Sequence, residues 1–196
     1  MMILYSAPAS PFVRKVRVAA LELGIALDVQ TITAASPQVT AANPLAKIPT
    51  LVLESGEALF DSPVICDFLN ALGQGDLLAA SGPARWAALR LEALADGICD
   101  AAVWRRGESA RATGDQHADA ISKQTALMRR ALDHLESAPP SSSAFGIGEI
   151  AAACALGYLD FRFAPEPWRD GRPKLAAWFA AAGRRPSMTA TAPDVI

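Results

Sequence analysis

The sequence predicts two architectures in one chain, α/β followed by all-α: a unit of order βαβαββα over residues 1–76, then an all-helical unit over residues 84–196. Three observations carry this. Strand-like and helix-like runs alternate up to about Leu72. Residues 73–83, Gly-Gln-Gly-Asp-Leu-Leu-Ala-Ala-Ser-Gly-Pro, then interrupt regular structure. Beyond them the composition turns to Ala, Leu and Arg at helical spacing, with no further convincing strand.

Residues 2–5, Met-Ile-Leu-Tyr, are a short β-prone run that ends in Ser-Ala-Pro-Ala. Ser10 then reads as a helix N-cap with Pro11 at the first helical position. Phe12, Val13, Val16, Ala19, Ala20 and Leu23 form an apolar stripe that stops at Gly24. Arg14, Lys15, Arg17 and Glu22 are expected mainly on the wet face of this helix. Residues 27–32, Leu-Asp-Val-Gln-Thr-Ile, alternate as a strand, and a β-α-β connection makes its two strands parallel neighbours. The Ala-, Ser- and Thr-rich residues 33–43 carry a weak helical signal. Residues 50–53 and 58–60 are β-prone and separated by Glu-Ser-Gly-Glu, which suits an antiparallel hairpin. Ser62-Pro63 repeats the cap-plus-proline start and opens a helix to about Leu72. In the second unit helical patterns cover residues 84–109, 115–137, 147–163 and 173–183. Pro139, Pro140 and Ser141 to Ser143 form a connector, and a loosely structured tail is expected from Pro186.

The composition narrows the partners. With 52% hydrophobic and 19% charged positions in 196 residues, the chain has the apolar material for a substantial core. Lys and Arg total 18 against 20 for Asp and Glu, so no basic field draws it onto nucleic acid or an anionic membrane. The opening apolar run has no basic residue before it and is too short for a signal-peptide core, and residues 151–159 fall short of a membrane span. The expectation is a cytoplasmic protein. Cys66, Cys99 and Cys154 are widely spaced in apolar contexts with no C-x-x-C pair, which points to reduced, buried thiols and no metal site.

The order β-α-β, variable segment, hairpin and helix is the thioredoxin-like arrangement. Ser10-Pro11-Phe12, the run Asn-Pro-Leu-Ala-Lys-Ile-Pro at 43–49, Phe60-Asp61-Ser62 and the helical second half together resemble the cytosolic glutathione transferase superfamily, of the bacterial serine type, over essentially the whole chain. Ser10 lies where a strand hands over to a helix N-terminus, and that end of a helix favours an anion such as the glutathione thiolate. A free thiol has a pKa of roughly 8.5, and each unit of depression needs about 1.4 kcal/mol of preferential thiolate stabilisation. One hydroxyl donor beside a helix terminus operates on that scale. Taken alone, a Ser-Pro helix start reads as a cap.

The resemblance implies further roles. Pro49 is cis and turns the backbone of Ile48 toward the cysteinyl backbone of glutathione, while Lys47 faces a ligand carboxylate. Asp61 pairs with the γ-glutamyl ammonium, and Ser62 with the amides after it receives the α-carboxylate. The family more often has Glu before that serine, so Asp61 reaches one methylene less. Read without the resemblance, Pro49 is an ordinary trans proline, Lys47 a solvated charge and Ser62 a cap. The electrophile would sit between the loop before Ser10 and the first long helix of the second unit. Phe12, Trp104 and Arg105 are the candidates there, with core packing or a solvated edge the alternative. Asp96 and Asp100, four apart on the same helix, either face that cleft or form an outer stripe. The run Phe-Gly-Ile-Gly-Glu-Ile at 145–150 resembles the family's capping box, with Gly146 as cap and Glu149 answering.

The implied activity is transfer of the glutathione thiolate to a small hydrophobic electrophile, a detoxification chemistry. Glutathione serves as co-substrate with no bound cofactor, and the assembly is a homodimer. A glutathione-dependent peroxidase, isomerase or lyase shares the fold, and a non-catalytic protein-interaction scaffold is the alternative of a different class.

Overall fold

The computed structural model describes residues 1–193. Strands β1 (Ile3–Ser6), β2 (Asp28–Thr31), β3 (Thr50–Val52) and β4 (Ala58–Leu59) form one mixed sheet in the order β2-β1-β3-β4. β1 runs parallel to β2, with Leu4 opposite Val29, and antiparallel to β3, with Leu4 opposite Leu51. The β3–β4 pair is the antiparallel hairpin that the sequence suggests. Helix α1 (Pro11–Glu22) connects the parallel strands, α2 (Pro37–Ala42) precedes β3, and α3 (Ser62–Leu72) follows β4. α1 packs against α3, and Leu4, Val16, Leu51, Ile65 and Leu69 are wholly buried between helices and sheet. This is the thioredoxin-like arrangement.

The helical part comprises α4 (Gly82–Ser109), α5 (Ala118–Ser137), α6 (Ile147–Arg162), α7 (Pro173–Ala182) and α8 (Pro186–Ala190). α6 is apolar on every face because α4, α1 and α7 surround it. Its alanines and glycines let the neighbours approach closely. A Cβ on Gly148 would lie 2.9 Å from the Ala88 carbonyl oxygen and 3.0 Å from Leu91. At the start of α6, Glu149 accepts a hydrogen bond from the Gly146 N–H at 3.1 Å, which is the back-bonded half of a capping box. The Ile147 N–H donates to Leu77 of the connecting segment at 2.8 Å.

Two expectations are corrected. The chain beyond Pro186 is not a loose tail: α8 forms there, with Ser187 and Met188 buried, while residues 194–196 lie outside the described part. Arg14, Lys15 and Glu22 are not on a wet face either, because α1 is sandwiched between its own sheet unit and the helices. Arg14 donates to the Met188 carbonyl at 2.9 Å and to Thr191 Oγ1 at 3.4 Å. Glu22 pairs with Arg185 at 2.7 Å and also accepts from Ser187. The Lys15 side chain is only 1% exposed and bonds Glu92 and Asp96 of α4. The signal was in the spacing: Lys15 follows Phe12 by three and precedes Ala19 by four, so it belongs to the apolar stripe.

Gly148→Ala should lower unfolding stability by about 1–3 kcal/mol, because the added methyl meets backbone and forces α4 and α6 apart. An unchanged urea midpoint would show that the contact relaxes at no cost.

Candidate active site

Ser10 occupies the N-cap of α1 with extended backbone (φ −80°, ψ 122°), and its Oγ accepts from the Val13 N–H at 3.3 Å. The cap engages only an oxygen lone pair. The hydroxyl proton has no acceptor among the described residues, so it remains available to an anion. Capping and anion donation are therefore compatible uses of one group.

The segment before β3 is organised by Asn43, which is 1% exposed. Its side-chain amide donates to the Lys47 carbonyl and to Thr50 Oγ1, both at 3.1 Å, and its Oδ1 accepts from the Leu45 N–H at 2.9 Å. Thr50 in turn donates to the Lys47 carbonyl at 2.8 Å. With its own carbonyl thus held from inside, Lys47 projects an exposed ammonium that has no ion-pair partner among the described residues. The Ile48–Pro49 bond is cis, as the resemblance implies, and Pro49 is buried. The N–H and C=O of Ile48 are not taken up by any turn or side chain among the described residues.

At the other end of the hairpin, Asp61 rather than Ser62 is the N-cap of α3, and the Phe60–Asp61 bond is also cis. The Asp61 carboxylate makes no capping bond and is exposed, so its charge is free to meet a cation. Ser62 is the first residue of the helix and is buried beside the N-terminal amides. Its expected place as cap is thus corrected by one residue.

α4 presents a stripe of carboxylates toward this region, spaced by one turn at Glu92, Asp96 and Asp100. Burial pushes the Asp100 carboxyl up; Lys47 opposes that push and Asp61 adds to it. Asp100 itself is exposed, within electrostatic reach of Lys47 and Asp61. Burial disfavours the Lys15 charge, but Asp96 and Glu92 outweigh it and hold the ammonium above the ordinary lysine range. Sequence reasoning missed Lys15, Glu92 and the scaffold role of Asn43.

The residues expected around an electrophile divide. Phe12 is half-buried immediately after Ser10-Pro11 and packs on the core. Trp104 stands one turn beyond Asp100 on the same face of α4 and is 40% exposed. Arg105 is turned about 100° away. It pairs with Glu166, and its guanidinium lies 4.8 Å from the centre of the Phe163 ring, against the segment after α6. The structure therefore sets Arg105 apart from Trp104.

Sulfur chemistry by the chain's own cysteines is disfavoured. Cys66, Cys99 and Cys154 are buried, and burial pushes each thiol upward, Cys154 to about 12. Among the described residues there is no group of three or more His, Cys, Asp or Glu disposed to hold a metal ion. No helix among them is long and apolar enough to cross a membrane.

A thioredoxin-like unit with a cis-proline and a serine at the first helix N-terminus is thus followed by an all-helical unit. The family model for the N-terminal domain of glutathione S-transferases matches residues 9–72, and that for their C-terminal domain matches residues 116–181. The chain belongs to the glutathione S-transferase family. It is 35% identical to the uncharacterized GST-like protein YibF of Escherichia coli strain K12, over 98% of both chains. It is also similar to a glutathione transferase family member from Pseudomonas fluorescens Pf-5 solved with bound glutathione, at 43% identity, TM-score 0.92 and full coverage of both chains. A glutathione S-transferase from Methylobacillus flagellatus KT, solved with glutathione bound, is 37% identical with TM-score 0.93 over 99% of this chain and 100% of that one.

Asn43→Ala should destabilise the protein by about 1–3 kcal/mol, since it removes three hydrogen bonds at a buried site and leaves the Leu45 N–H without that partner. Urea unfolding measures the loss, and an unchanged midpoint would mean that Asn43 does not organise the 43–50 segment.

Proposed function

We propose that the chain is a glutathione transferase that binds glutathione on residues 1–76 and holds a small hydrophobic electrophile against the helical unit, residues 84–196. The observation that carries this reading is the free proton of Ser10. Its oxygen caps α1, and its O–H is left to donate to a thiolate at the same helix end, where the exposed amides add to the stabilisation. The proton leaves the thiol for solvent; the ionised sulfur forms a bond to the electrophilic carbon as that carbon's bond to a leaving group breaks, the group departing with the electron pair, and the bound pair reacts with the entropy of encounter already lost on binding.

The remaining residues fit the tripeptide's charges. Lys47 takes the glycyl carboxylate, the Ile48 backbone at cis-Pro49 pairs with the cysteinyl unit, and Asp61 holds the γ-glutamyl ammonium. Ser62 and the α3 amides take the α-carboxylate. The electrophile lies between Phe12 and Trp104, with Arg105 committed elsewhere by Glu166. This set of free, differently charged groups favours an enzyme over a pure scaffold, because a scaffold has no need of an unpaired Lys47 and Asp61 around one cleft. The relatives solved with glutathione support the ligand. The setting is cytoplasmic, and two chains pair.

Ser10→Ala should leave glutathione affinity largely intact and raise the bound thiol's pKa by about one to two units, equivalent to roughly 1.4–2.7 kcal/mol, with lower turnover near neutral pH. Ultraviolet titration of the thiolate beside a pH–rate profile tests it. A lower melting temperature with unchanged thiol pKa would make Ser10 a cap alone. Asp61→Ala should do the reverse: it weakens calorimetric glutathione affinity by about 1.5–3 kcal/mol, as for hydrogen bonds to charged groups, while the circular dichroism is retained. Unchanged affinity removes Asp61 from the site. Light scattering at micromolar concentration should give twice the 20.6 kDa chain mass; a strict monomer contradicts the pairing.

A further inference from the structure

Lys15 stands on α1 five residues after Ser10, and its ammonium is enclosed between α1 and α4. It donates to Glu92 Oε1 at 2.9 Å, and to Asp96 Oδ1 at 2.9 Å and Oδ2 at 2.7 Å. The two Asp96 contacts straddle one carboxylate, so the ammonium is held by one carboxylate oxygen of Glu92 and by both oxygens of Asp96. The acceptors are one turn apart on α4 and reach the same nitrogen from two levels of that helix.

Such an arrangement contributes something that the surrounding apolar contacts do not. Burial of apolar surface is non-directional. Short charge-assisted hydrogen bonds are directional. A buried ion group is weak support for net stability, because apolar residues of similar volume often do as well, and its best attested use is to fix register. Side chains of a helix lean toward its N-terminus, so the Lys15 ammonium lies toward the Ser10 end of α1. On α4 the same face continues from Asp96 through Asp100 to Trp104. The charged group thus ties the start of α1 to the face of α4 that carries Asp100 and Trp104.

We propose that the Lys15–Glu92–Asp96 group is a register pin between the two domains. Lys15 is a positioning residue that sets the distance between the Ser10 end of α1 and α4, and hence the room left for the group carried on glutathione's sulfur. The inference rests on the transferase reading. It adds that selectivity for the size of the electrophile is controlled from a buried site that touches neither substrate.

The test compares calorimetric affinities for glutathione and for S-hexylglutathione, whose alkyl chain occupies the cleft, so no turnover is required. In Lys15→Met/Glu92→Leu/Asp96→Leu the pin is replaced by apolar residues. Its melting temperature should be near that of the wild type, and glutathione affinity should be kept. The preference for the S-hexyl ligand should change by about tenfold, the scale on which an apolar pocket registers small changes of fit. Lys15→Arg retains the charge but lengthens the pin, and should shift the same ratio without loss of fold. A wild-type ratio in the folded Arg variant, or in a folded triple variant, overturns the proposal while leaving the transferase reading intact. Failure of the wild-type protein to bind either ligand overturns both.

Discussion

The structure depends on how a lysine ammonium is kept charged out of water. Lys15 can be buried because the carboxylates of Glu92 and Asp96 pair its charge, and those acceptors belong to the helical unit. Neither unit alone can bury its part of the group: apart, the ammonium and the two carboxylates would face water and be hydrated there. Removing one member of such a buried group typically costs about 3–5 kcal/mol. The two units are therefore a single cooperative body at this seam, and the walls of the cleft above it inherit fixed positions.

Around that seam the site is assembled from helix ends and held loops. Ser10 and Ser62 stand at the N-termini of α1 and α3, where unpaired amides and the helix dipole favour anions, and the carboxylate of Asp61 stays clear of the capping bonds. Between them the 43–50 segment is folded over the buried Asn43, which leaves the Lys47 ammonium outside. Lys47 and Asp61 thus present exposed, opposite charges from short supports. The three cysteines of the chain are buried away from these helix ends and loops.

What the sequence disclosed was local. Ser10-Pro11 and Pro63 marked helix starts, the Glu-Ser-Gly-Glu turn marked the hairpin, and alanine and leucine spacing marked the helical half, since each depends on backbone chemistry within a few residues. What stayed hidden was long-range. Lys15 looked like a solvated charge because its acceptors lie far away in sequence, and the same holds for Arg14 with Met188 and for Glu22 with Arg185. α8 was missed because five residues with one proline carry little periodic signal, and its burial comes from α1 rather than from its own pattern. Arg105 and Trp104, neighbours in sequence, were grouped as one pocket. A rotation of about 100° per residue sends them to different surroundings.

The tether from Arg14 to the carbonyl of Met188 and the hydroxyl of Thr191 bears on how the molecule can be handled. It joins the end of α8, the last helix among the described residues, to the helix that Ser10 caps, so mechanical or steric load passed along the chain to α8 reaches α1. The amino end is attached differently, through an exposed contact between the Met1 ammonium and Glu54 at the hairpin turn. For fusion, surface immobilisation or pulling experiments, the two ends are not equivalent handles. Attachment at the amino end loads a solvent-exposed corner of the sheet, whereas attachment at the carboxyl end loads α1.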